Sequence, residues 1–132
     1  MEELIRRALN HYSGYIAEAE LYDRWLATRE NPDVRDALIL LQMKITTIQS
    51  WFNLLNADER FVVQKHLVEE LEWARVAFAF EEQWKGAFTR TERTLVQYQT
   101  RALAKISRFS ESHREIILPL FGYLTEEHRI DE

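Results

Sequence analysis

The chain has no cysteine, so neither disulfides nor thiolate chemistry enter its design, and its fold does not depend on an oxidising compartment. Glycine and proline are almost as scarce, with three and two copies in 132 residues. These residues punctuate turns, and their scarcity leaves the long periodic segments of an all-helical chain. Long apolar runs are missing as well: none approaches the roughly 20 residues of a membrane span. The opening MEELIRRALN also lacks the apolar core of a signal peptide. A cytoplasmic protein with no membrane partner is expected.

Other absences bear on chemistry. There is no glycine-rich phosphate loop. His11, His66, His113 and His128 fall in separate segments, and none has the Glu-x-x-His or His-Glu-x-x-His spacing that gathers metal ligands on one helix face. The pairs Glu69-Glu70 and Glu81-Glu82 are adjacent rather than a turn apart, so their carboxylates diverge. The expectation is therefore no enzyme, no metal and no cofactor.

What the chain does hold is apolar surface, 46% hydrophobic and 12% aromatic residues, enough to build one domain core at this length. The spacing predicts a first helix over 2–29, with Leu4, Ile5, Ala8, Leu9, Tyr12, Tyr15, Ile16, Ala19, Tyr22 and Leu26 on its apolar face. The segment Glu30-Asn31-Pro32-Asp33 stops it. A second helix over 33–55 is apolar beyond one face, because Ile39, Leu40 and Met43 widen the stripe of Leu38, Leu41, Ile45 and Ile48. Such a helix wants burial on two sides, as the centre of the domain or as the seam of a homodimer. Asn56 with Glu59 three places on opens a third helix over 57–70, and a fourth follows almost without pause over 71–82. Pro119 and Gly122 predict a broken final helix before a polar tail.

Charge is distributed unevenly. From Lys85 to Arg108 six cations (Lys85, Arg90, Arg93, Arg101, Lys105, Arg108) face one carboxylate, Glu92. That is +5 inside a chain of −5, leaving −10 for the remainder. Solubility would be served equally well by scattered charge, so the island points to a docked polyanion. Thr91 is suited to N-cap a helix here, and Thr89 with Glu92 forms an overlapping capping box. Leu95, Tyr98, Ala102, Leu103 and Ile106 then gather on one side. Arg93, Thr94, Gln97, Arg101, Lys105 and Arg108 gather on the other. Arginine and glutamine suit guanine and adenine edges, and lysine suits phosphates. The plainer alternative is a solvated basic face.

The order of segments resembles the helix-turn-helix of bacterial sigma factor region four. Leu55-Asn56-Ala57-Asp58-Glu59-Arg60 matches its L-x-x-x-E-R opening, and Arg101-Ala102-Leu103-Ala104-Lys105-Ile106 matches its R-A-L-x-K-[IL] close. Trp73-Ala74-Arg75-Val76-Ala77 is similar to the first helix of that motif, and Thr91-Glu92-Arg93-Thr94-Leu95 to the start of the recognition helix. Ala8-Leu9-Asn10-His11-Tyr12 is similar to the A-L-x-x-Y segment of phage late transcription regulators of the ArpU and RinA type. The resemblance implies an all-α helical bundle divided into a scaffold or dimerisation region (1–55), a DNA-binding module (56–108) and a C-terminal segment (109–132). It implies a transcription regulator that binds double-stranded promoter DNA and touches RNA polymerase. Arg93, Thr94 and Gln97 would lie nearest the bases, Lys85, Arg101 and Lys105 nearer the backbone, and Arg90 in either role. Two features depart from the pattern. More residues separate Ala77 from Thr91 than a tight turn needs, which implies an enlarged turn or wing over 83–90. Glu69, Glu70, Glu72, Glu81 and Glu82 must point away from DNA or toward a basic protein. The rival to DNA binding is a helical adaptor that engages a sigma factor or RNA polymerase without touching DNA.

Overall fold

Asn31 sets the first corner. Its side-chain oxygen accepts the Asp33 and Val34 amides at 3.0 and 3.3 Å, and Pro32 takes the first helical position, where its missing N–H costs nothing. Helix α1 (Glu2–Thr28) thus ends and α2 (Pro32–Asn53) begins across a short link, and the two pack along each other as a helical hairpin. The computed structural model describes residues 1–84 and 91–125, and the regular elements among them are all helical.

Asn56 opens α3 (Ala57–Val63) with a reciprocal capping box: its side chain accepts the Glu59 amide, and Glu59 accepts the Asn56 amide, both at 2.9 Å. The single helix expected over 57–70 is not what forms. After Val63 the backbone widens into a π-helical turn (Gln64–Val68), closed by Glu69 N–H to the Gln64 carbonyl at 2.9 Å and Leu71 N–H to the Lys65 carbonyl at 3.0 Å. The wide turn rephases the chain so that the consecutive Leu67 and Val68 are both buried. Nor does the next helix follow without pause. Glu70 stands in the left-handed conformation (φ 57°) and reverses the chain before α4 (Trp73–Gln83).

Helix α5 (Glu92–Ser112) runs beyond the basic island, and α6 (Arg114–Phe121) follows it. The break expected near Pro119 lies instead at His113, with Pro119 inside α6. Proline deprives the Glu115 carbonyl of its helical donor. Glu115 is exposed, so water can take that role. Beyond α6, the Leu124 carbonyl accepts from the Arg7 guanidinium at 2.6 Å, and the Tyr123 and Tyr15 hydroxyls share a hydrogen bond of 2.8 Å. Burial and the Tyr123 partner push the Tyr15 hydroxyl well above the ordinary tyrosine range, which keeps this tie protonated.

Two hydrophobic clusters result. The larger joins Leu4, Ile5, Ala8 and Leu9 of α1, Ile48 and Trp51 of α2, Val63 and Leu67, Leu103 and Ile106 of α5, and Ile117 and Phe121 of α6. The smaller is built from Val62, Val76, Phe80 and Leu95, with Phe61 and Trp84 edge-to-face at 5.3 Å and Phe80 stacked on Trp84 at 4.1 Å. Helix α5 enters both, its first turns in the small cluster and its later turns in the large one. Described residues of 1–55, 56–108 and 109–125 therefore meet in the larger cluster, while the smaller lies within 56–108, and α5 runs through both.

Gly14 is the soft point of α1. It is exposed, and a Cβ there would meet nothing within 4 Å. Gly14→Ala is expected to stabilise the fold by about 0.5–1 kcal/mol, read as a raised urea midpoint at unchanged slope.

Candidate nucleic-acid interface

Thr91 caps α5 as its side chain predicts: Thr91 Oγ1 accepts the Thr94 amide at 3.2 Å. Glu92 in the first turn complements the helix dipole. From there the helix is held from beneath along its length. Leu95, Ala102, Leu103 and Ile106 are buried apolar contacts, and Gln99 is a buried polar one. Gln99 Oε1 lies 2.6 Å from His66 Nδ1, and the His66 ring stacks on Trp73 at 3.8 Å. This bond fastens α5 to the π-helical turn, and a buried amide that is satisfied costs the fold little.

The opposite face holds Arg93, Gln97 and Arg101, each exposed, at successive steps of four residues. None forms a hydrogen bond or ion pair with another described residue. Together they span about 12 Å of helix, close to the width of a B-DNA major groove. Val96, half-exposed beside Gln97, adds an apolar contact of the kind that meets a thymine methyl. Sequence pattern had assigned no role to Val96, and only its angle on the helix, about 100° from Leu95, separates it from the core.

The remaining expected contacts divide. Thr94 is half-buried, and its hydroxyl lies 3.1 Å from that of Thr91, so it serves the cap. Lys105 Nζ donates to Glu59 Oε1 at 2.7 Å, on a carboxylate only 1% exposed that also holds the Asn56 amide. Arg101 makes no ion pair with a described residue, and the one from α5 to a glutamate of an earlier helix is made by Lys105. Its charge is already engaged in bolting α5 to the start of α3. Arg108 is exposed without a described partner, at a groove beside Leu54 and Phe109 where α5 meets the end of α2. Lys85 and Arg90 lie outside the described residues, as do Thr89 and most of the expected wing.

Part of the acidic cluster also has structural employment. Glu69 accepts from Gln64 at 3.1 Å and from Lys65 at 3.2 Å, and Glu70 makes the left-handed reversal. No group of His, Asp and Glu that could hold a metal occurs among the described residues. No described helix is long and apolar enough to cross a membrane. Comparison with protein families, with curated proteins and with solved structures gives no match for this chain.

Proposed function

We propose that the chain is a DNA-binding transcription regulator that reads promoter duplex with the exposed face of α5, α4 and α5 acting as a helix-turn-helix of the sigma region four type. The observation that carries this reading is the row Arg93, Gln97 and Arg101, exposed and without described partners on a helix anchored in two cores. A rigid helix holding long donors outward has the preorganisation that groove reading needs, because little side-chain ordering is left to the backbone. The phage late-regulator type follows from the segment resemblances, and contact with RNA polymerase is part of the same proposal. In this reading Lys105 and Thr94 set the position of the helix, and Arg93 and Gln97 meet base edges.

The experiment is selection from random duplexes. The chain is expected to enrich a short defined motif, and enrichment should vanish for Arg93→Ala/Gln97→Ala. Failure to enrich any motif would overturn the proposal. The adaptor reading is favoured by one observation, Phe78, which stands 66% exposed on α4. If Phe78→Ala removed binding to RNA polymerase while duplexes were never bound, the adaptor reading would replace the first.

A further inference from the structure

From Ala37 onward, α2 carries no exposed charge. Between Ala37 and Ala57 the sole ionisable residue is Lys44, in a chain that is 30% charged. Lys44 is turned inward, buried, with its ammonium 4.6 Å from the Tyr123 ring centre and 5.1 Å from that of Tyr15. The outward stripe runs through Ile39 (49% exposed), Leu40 (45%) and Met43 (50%), then Thr47 and Ser50 to Leu54. A groove of about 360 Å³ lies along it, bounded by Ile39, Met43 and Thr46 on α2 and by Ile116 and Leu120 on α6. Depletion of charge around exposed methionine and aliphatic side chains is the composition of an interface core.

The ends of the stripe differ in sign. Asp36 is exposed at one end, on the same helical line as Met43 and Leu54, beside Arg35, whose guanidinium is already paired with Glu30 at 2.7 Å. At the other end Arg108 is exposed and lines the groove beside Leu54.

We propose that this face is the seam of a twofold homodimer, with α2 antiparallel to α2 of a second copy and the axis near Met43 and Thr47. A twofold contact brings each residue near the axis close to its own copy, so a charge there would repel itself. This stripe is neutral in its middle, and its charges sit at the ends with opposite signs. An antiparallel pairing lays the Asp36 end of one copy on the Arg108 end of the other, twice over. The described face measures roughly 24 Å along α2 by two helix widths, about 500 Å² per copy. That is below the ~800 Å² of a standard interface, so the dimer forms reversibly with concentration. The inference does not depend on DNA binding, and its test needs no DNA.

Sedimentation of the full chain across micromolar to near-millimolar concentrations should show a monomer–dimer equilibrium. Met43→Lys and Met43→Glu, at a half-exposed site, should each keep the far-ultraviolet helical signal and sediment as monomers, because each places two like charges at the axis. Mixed in equal amounts, the two variants should recover the dimer at wild-type strength or better. A wild-type chain that stays monomeric throughout, a dimer indifferent to both variants, or two folded variants that fail to restore each other would each overturn the seam.

Discussion

Replacing Arg93 and Gln97 together by alanine is expected to lower affinity for the selected duplex on the order of a hundredfold while leaving thermal stability unchanged. Each bidentate base contact discriminates by about 1–3 kcal/mol, and two lost near the lower end of that range amount to about two factors of ten. Stability should hold because both side chains point to solvent without described partners, and alanine is the strongest helix former. On scrambled duplex the loss should be several-fold smaller, since only the Arg93 charge is missing there. Anisotropy titrations on the two duplexes, with a melting curve of the variant, check this. Equal losses on both duplexes would mean that these residues hold phosphates and do not read bases.

Lys105→Met should act in the opposite way, unsettling the fold. It leaves the Glu59 carboxylate, 1% exposed, without its cation. A lost partner of a fully buried pair costs ~3–5 kcal/mol. The lysine side chain is 44% exposed, so water can reach the vacated position and the expected cost falls to about 2–3 kcal/mol. In a domain of this size that lowers the melting temperature by roughly 10 °C. Glu59→Gln should be milder, about 1 kcal/mol, because its amide oxygen still accepts the Asn56 N–H and the freed lysine is solvated. Adding Glu59→Gln to Lys105→Met should recover part of the loss, a coupling that a double-mutant cycle measures directly. Had Lys105 served only as a phosphate contact, its replacement would leave the melting temperature unmoved.

The contrast between these two variants shows where sequence pattern reaches and where it stops. Apolar spacing at three and four residues placed α1, α2 and α5, because a helix that must bury one face repeats at its own period. Caps at Asn56 and Thr91 were legible for the same local reason, a short polar side chain beside free amides, whereas the corner at Asn31 was legible only through Pro32. The left-handed Glu70 was not, since glutamate gives no hint of a conformation usually given to glycine. The π-helical turn before it follows from the demand to bury Leu67 and Val68 together, which only tertiary packing expresses. The break at His113 was drawn toward Pro119, the stronger local signal, though α6 tolerates that proline beside an exposed carbonyl. Within the basic face, sequence could sort cations from apolar residues but could not tell an engaged lysine from a free arginine. That distinction belongs to Glu59, 46 residues away.

The central claim is that α5 presents cations to a duplex, and the salt dependence of DNA binding tests it most directly. With Arg101 and the other cations of the basic stretch not assigned to bases or to Glu59 (Lys85, Arg90 and Arg108) neutralising about three to four phosphates, log affinity should fall against log salt with a slope of roughly −2.7 to −3.6. Arg101→Gln should make that slope shallower by about one. A slope near zero, or no measurable duplex binding at low salt, would contradict the account.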